Sequence, residues 1–184
     1  MTLVLGFAPF VLFAVLMRLS VSLALWVAFA TAFTLALRSF VETRVLKTLD
    51  VGSTMLFGLL ALFVSFIPPD VTLSAVRLIV DGGMLTIALV SILLRQPFTL
   101  QYAREQVPRA LWGAPLFLRT NYIISAVWAA AFAIMTAADA AATFIPQVSL
   151  TRAVAAGLVA LAAALTFTLQ YPIYVRRQLG RTSD

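Results

Sequence analysis

The feature of this sequence that most constrains its fold is a succession of apolar stretches, each about as long as a membrane-spanning helix. A helix needs about 20 mostly apolar residues to cross the ~30 Å hydrocarbon core of a bilayer, and such stretches recur between residues 3 and 171. In this chain 62% of the residues are hydrophobic and 11% are charged, whereas soluble domains have about 45–50% apolar and about 25% charged residues. The sequence therefore predicts an all-α, polytopic integral membrane protein with one transmembrane domain over residues 1–184.

The apolar stretches predict six transmembrane helices arranged as three hairpins. The spans are placed at residues 3–18, 20–38, 51–67, 72–95, 122–143 and 149–171. The basic segment 38–50 has apolar residues at roughly helical spacing, which predicts a helix end lying in the membrane interface. After the fourth span, Pro97, Pro108 and Pro115 exclude one uninterrupted helix across the polar connection.

The positions of the basic residues predict the orientation of these spans, because Lys and Arg in short loops stay on the cytoplasmic side. With six spans, ten basic residues fall on one side and three on the other. Both termini are therefore predicted to be cytoplasmic, and residues 1–17 lack the basic n-region of a cleavable signal peptide. The larger group is Arg38, Arg44, Lys47, Arg95, Arg104, Arg109, Arg119, Arg176, Arg177 and Arg181, and the smaller is Arg18, Arg77 and Arg152.

The absence of cysteine and histidine excludes several kinds of chemistry. Disulfides, thiol nucleophiles, imidazole bases and the usual zinc and haem ligands all need these residues. We therefore expect no catalytic residue, no metal site and no cofactor. The net charge of +6 is scattered between the apolar spans, so the expected partners are membrane lipids rather than nucleic acid. A second copy of the chain or another membrane protein stays open as a further partner.

Four charged residues fall in the predicted outer half of the membrane: Arg77, Asp81, Asp139 and Arg152. An ionisable group deep in hydrocarbon costs at least a few kcal/mol unless it is paired or hydrated, so each is a candidate functional residue. Arg77 and Asp81 are four residues apart on one predicted helix and can pair. Two interpretations stay open, a proton- or ion-coupled site and a structural ion-pair cluster that holds helices together.

Two adjacent glycines, Gly82 and Gly83, follow Asp81 directly. Adjacent glycines weaken a helix and allow a neighbouring backbone to come close. The fourth span follows a turn predicted at Pro68 and Pro69, and the glycine pair predicts a break or kink within this span.

A trace of internal repetition points to the same position. Phe-Ile-Pro occurs at 66–68 and again at 144–146, and Phe-Thr-Leu-Gln-Tyr occurs at 98–102 and again at 167–171. If the copies are equivalent, the first has nine extra residues between its motifs. A helix lengthened by that much has to tilt, protrude or break in a bilayer.

The polar connection before the fifth span holds Arg104, Arg109 and Arg119 close to Trp112. Arginine and tryptophan suit the headgroup layer of a membrane. These four residues are predicted to contact lipid headgroups, with an acidic partner surface or simple topology signalling as alternatives.

Several of these motifs occur in an order that is similar to that of a known family. The motifs are Pro9-x-x-x-Phe13, Arg18-Leu19, the basic segment 38–47, Asn121, Trp128-x-x-x-Phe132 and Asp139. Over about residues 5–145 the chain resembles the bacterial intracellular septation protein A family. The resemblance implies a multi-pass protein of the bacterial inner membrane, part of the cell envelope or septation apparatus, without known catalysis.

Two classes of function stay open at this point. The first is a non-enzymatic envelope or septation accessory or scaffold protein, with an accessory subunit of a larger membrane complex as a variant. The second is a small oligomeric transporter or channel for a proton, ion or small solute that uses Asp81 and Asp139. A water-filled cavity reaching Asp81 would favour the second class.

Overall fold

The computed structural model describes residues 2–66 and 72–182, and every regular element within them is a helix. The predicted all-α class is confirmed. The α-helices are α1 (Thr2–Gly6), α2 (Ala8–Leu16), α3 (Val21–Thr43), α4 (Thr48–Phe66), α5 (Leu73–Leu93), α6 (Phe98–Ala103), α7 (Pro115–Phe144) and α8 (Leu150–Thr182). Two short 3-10 turns, Arg104–Gln106 and Arg109–Leu111, lie between α6 and α7.

Five helices of the described chain are long and apolar enough to cross a membrane: α3, α4, α5, α7 and the Leu150–Val175 part of α8. They overlap five of the six predicted spans, so the membrane class has a structural basis. The predicted first span, residues 3–18, corresponds to α1 and α2, which are 5 and 9 residues long. The six-span count stays a prediction, and the turn predicted at Pro68 and Pro69 lies outside the described residues.

The chain forms two compact units, Met1–Ile87 and Ala88–Asp184. In the first unit α2 packs on α3 and α3 packs on α4. Phe57 of α4 is fully buried there, with its ring centroid 4.8 Å from that of Phe10 and 5.8 Å from that of Phe13. Buried alanines of α3 at helical spacing belong to the same core, and their small side chains let neighbouring helices come close. These are Ala24, Ala28 and Ala32.

Helix α5 runs through Gly82 and Gly83 without interruption, so the chain does not leave the helix there, and a kink at the glycine pair stays a prediction. A glycine costs a helix only about 1 kcal/mol relative to alanine, and close packing offsets that cost. A Cβ on Gly83 would lie 2.5 Å from Leu56 Cδ1. A Cβ on Gly52 would likewise lie 2.7 Å from Ile87 Cγ1. The glycines therefore serve the close approach of α4 and α5.

Two arginines adopt the left-handed backbone conformation after long helices. Arg44 follows α3 with φ 57° and Arg95 follows α5 with φ 58°. This conformation costs roughly 1–2 kcal/mol for a residue with a Cβ and ends a helix sharply.

The nine extra residues between the first pair of repeat motifs are taken up by the turn at Arg95 and a new helix, α6. The motif at 98–102 begins this separate helix whereas its copy at 167–171 lies inside α8, so the copies are not equivalent.

In the second unit α8 packs along α7. The contact face of α8 consists of small residues that are all buried: Ala153, Gly157, Ala160 and Ala164. A Cβ on Gly157 would lie 3.4 Å from Met135 Cγ on α7, and Trp128 Nε1 donates a hydrogen bond to Thr168 Oγ1 at 2.9 Å. The small residues of α8 thus serve packing within the chain.

Candidate functional site

The four charged residues predicted for the outer half divide between the two units. In the first unit, Asp81 is 8% exposed and Arg77 is half-buried, with its Nη1 3.8 Å from Met17 Sδ. In the second unit, Asp139 is 1% exposed, whereas Arg152 is exposed in the first turn of α8. Both acids are therefore buried within candidate spans. A cluster of all four, and the Arg77–Asp81 pair within it, stay predictions.

A further pair of buried charges was missed by the sequence analysis. Lys47 and Asp50 are 5% and 6% exposed at the start of α4. The basic segment 38–50 was predicted to lie in the interface, but the chain turns at Arg44 and carries these two side chains inward. The signal that was available is Asp50 in the first helical turn, where a carboxylate is favoured by the helix dipole. Its carbonyl oxygen also accepts from Thr54 Oγ1 at 2.7 Å.

Helix α6 is held by buried polar contacts in the second unit. Thr99 Oγ1 donates to the carbonyl oxygen of Asn121 at 3.0 Å and lies 2.6 Å from Ser125 Oγ. At the other end of the turn, Ser91 Oγ accepts from the backbone N–H of Phe98 at 3.1 Å. These groups satisfy one another and join α6 to α7. Their arrangement is structural, since each hydroxyl is used within the fold.

Three of the four predicted headgroup residues lie in one segment, residues 104–114, which we call the basic loop. Trp112 Nε1 donates to the carbonyl oxygens of Arg104 at 3.1 Å and Val107 at 3.3 Å. The guanidinium carbons of Arg104 and Arg109 lie 5.4 Å and 5.6 Å from the Trp112 ring centroid. These distances are within the range of cation–π attraction. Three of the four predicted residues are therefore brought together around one ring.

The fourth predicted residue, Arg119, is exposed in the second turn of α7. Apolar side chains are exposed beside these cations: Leu111 of the basic loop is 49% exposed and Leu116, in the first turn of α7, is 39% exposed. A surface that combines cations with apolar side chains suits the boundary between headgroups and hydrocarbon. Tyr102, just before the basic loop, is buried instead.

The described residues contain no group of three or more acidic, histidine or cysteine side chains that could hold a metal ion. No family model, curated protein or solved structure matches this chain.

Proposed function

We propose that this chain is a non-enzymatic, multi-pass protein of the bacterial inner membrane that serves as an accessory or scaffold of the envelope or septation apparatus. It engages anionic lipid headgroups through the basic loop together with Arg119. The observation that carries this proposal is the packing of Arg104 and Arg109 against Trp112. The link to septation rests on the motif resemblance described above.

The position of the basic loop supports contact with headgroups. It directly precedes α7, which has 30 residues, whereas about 20 residues suffice to cross the hydrocarbon core. With the fifth span at residues 122–143, as predicted, the first turns of α7, which carry Arg119, extend beyond the hydrocarbon into the headgroup layer. The basic loop stands at that depth or just outside it.

The internal bonds of the basic loop support binding in a second way. The Trp112 indole donates to two carbonyl oxygens of the same loop, those of Arg104 and Val107. The arginines of the loop are therefore partly ordered before any lipid binds. Ordering side chains beforehand lowers the entropy cost of binding. Each cation near an anionic membrane surface contributes about 1 kcal/mol. Three arginines together are worth roughly a hundredfold in retention of anionic lipid.

The proposal includes six spans with both termini in the cytoplasm, which places the basic loop on the cytoplasmic side. Residues 2–16 then have to form the first crossing. At 1.5 Å per residue α1 and α2 together reach only about 22 Å. This crossing therefore requires a locally thinned bilayer.

The test is native mass spectrometry of the purified protein with phosphatidylglycerol. A triple variant, Arg104→Gln, Arg109→Gln and Arg119→Gln, is compared with a matched triple of exposed arginines elsewhere, Arg18→Gln, Arg95→Gln and Arg152→Gln. The first triple should lose retained lipid by roughly a hundredfold and the second by much less. Equal losses in the two triples would overturn the proposal. The septation role is checked by imaging a fluorescent fusion, since even labelling of the whole membrane contradicts enrichment at the septum.

A second function, a small oligomeric transporter or channel for a proton or ion, is favoured by the burial of Asp81 and Asp139 in candidate spans. Buried acids in spans commonly mark ion pathways. Proteoliposomes with an internal pH dye would show proton flux if this function is the correct one. Asp81→Asn and Asp139→Asn should then abolish the flux, while Glu105→Gln, an exposed control, leaves it intact.

A further inference from the structure

An open apolar groove of about 240 Å³ lies between α3 and α4 in the first unit. On the α3 side it is lined by Phe33, Leu37 and Phe40, and on the α4 side by Met55. The lining residues of α3 recur at helical spacing, so the groove follows the helix for about 10 Å at 1.5 Å per residue.

The rest of the chain leaves this groove uncovered. Phe33, Leu37 and Met55 are 51%, 53% and 59% exposed. The volume is below the ~300–1,000 Å³ of pockets that enclose drug-sized ligands. A small apolar groove whose lining side chains are exposed suits part of a hydrocarbon chain.

A cation stands at one end of the groove. The guanidinium carbon of Arg44 lies 6.0 Å from the centroid of the Phe40 ring, which is itself part of the groove wall. Arg38 is neutralised by Glu42, with Nε 2.7 Å from Oε1. Among the described residues Arg44 forms no ion pair. The end of the groove therefore carries one uncompensated positive charge.

The depth of Arg44 suits a headgroup. Helix α3 has 23 residues, or about 34 Å at 1.5 Å per residue, and this matches the ~30 Å hydrocarbon core. The residue that follows its last turn is thus at the level of the lipid phosphates.

We propose that this groove binds one anionic phospholipid, with an acyl chain between α3 and α4 and the phosphate on the Arg44 guanidinium. A guanidinium offers paired donors that match phosphate oxygens, and the groove supplies the apolar contact. The left-handed backbone of Arg44 turns the chain at this point and sets the cation beside Phe40. This site lies in the first unit and shares no residue with the basic loop of the second.

The test compares binding of phosphatidylglycerol and phosphatidylcholine to delipidated protein by native mass spectrometry. Arg44→Gln is matched by Arg95→Gln, because Arg95 is also exposed, left-handed and free of ion pairs among the described residues. Ala36→Phe fills the groove, and Ala30→Phe, on an exposed part of α3 outside it, is the control. Arg44→Lys keeps the charge and tests for misfolding.

Arg44→Gln should reduce the bound phosphatidylglycerol at least about tenfold relative to Arg95→Gln, the loss expected for one charge-assisted contact. Arg44→Lys should restore most of it, Ala36→Phe should remove it, and phosphatidylcholine should bind weakly throughout. Equal binding in Arg44→Gln and Arg95→Gln would overturn the proposal. So would a lipid-free dimer that Ala36→Phe converts to monomer, because the groove would then hold a second copy. Equal lipid losses in the basic-loop triple variant and its control triple would overturn only the proposed function, because neither triple changes a residue of this groove.

Discussion

The indole of Trp112 contacts Arg104 in two ways at once: its N–H donates to the Arg104 carbonyl oxygen at 3.1 Å, and its ring lies 5.4 Å from the Arg104 guanidinium. One side chain therefore fixes both the backbone and the charge of the residue eight positions before it. Arg109 completes the arrangement at 5.6 Å. The resulting surface is positively charged, and it is held together by contacts within the loop.

Trp112→Ala should destabilise this loop by about 1–2 kcal/mol, because it removes the hydrogen bonds and the cation–π contacts together. Trp112→Phe keeps a ring for both arginines and should lose roughly half as much. Thermal unfolding in detergent, paired with retention of phosphatidylglycerol, measures both effects. Equal behaviour of the two variants would mean that the ring does not order the arginines.

The close approach of α4 and α5 makes a prediction about glycine. Gly52→Ala should lower the stability by about 1–3 kcal/mol, because the Cβ would meet Ile87, a β-branched residue that cannot easily rotate in a helix. Gly83→Ala should cost less, because the Leu56 side chain can move its tip aside. Gly113→Ala is the control, with no atom within 4 Å.

The result is read from the order of the melting temperatures. Gly113→Ala should melt highest and Gly52→Ala lowest. Adding Ile87→Ala to Gly52→Ala should recover part of the loss. A Gly52→Ala protein as stable as the control would show that the helices are not held at this distance.

The spans and the basic loop could be predicted because their signals are local. Long apolar windows locate helices that cross a membrane, and proline excluded one helix through the connection before α7. The clustering of Arg104, Arg109 and Trp112 also followed from nearness in sequence. The helix bounds were less accurate, and α7 begins at Pro115 rather than near residue 122.

The remaining features depend on tertiary contacts that no window detects. Lys47 and Asp50 have the composition of an interface segment, and only the left-handed turn at Arg44 carries them inward. Helix α5 continues through Gly82 and Gly83, where the packing of Gly83 on Leu56 offsets the helix cost of glycine. A sequence shows that a glycine permits a break but not whether a neighbouring helix uses the space.

The contact of α6 with α7 yields a further prediction. Thr99→Val should destabilise the protein by about 1 kcal/mol, because it removes bonds to Asn121 and Ser125 that cross between helices. Thr136→Val should be close to neutral, because that hydroxyl donates to Phe132 one turn back in its own helix. Hydrogen exchange over residues 98–103 should rise in the first variant alone. Unchanged exchange there would contradict the role of Thr99.

The predicted pairing of Arg77 with Asp81 can be tested by comparing single and double changes. Arg77→Leu leaves a buried carboxylate without its cation, a loss of about 3–5 kcal/mol for a buried pair. The double change of both residues to leucine should be more stable than Arg77→Leu alone. Thermal unfolding in detergent measures the difference. Equal or additive losses would show that the two do not pair and would favour Asp81 as a titrating transport site.

The central claim, a basic loop on the cytoplasmic headgroup layer, is tested most directly by labelling single cysteines. The natural chain has none, so Ala110→Cys in the basic loop and Gln147→Cys between α7 and α8 can each be introduced alone at an exposed position. A membrane-impermeant maleimide applied to bacterial spheroplasts should label Gln147→Cys at once and Ala110→Cys only after permeabilisation. Labelling of Ala110→Cys in intact spheroplasts, with Gln147→Cys protected, would contradict the account.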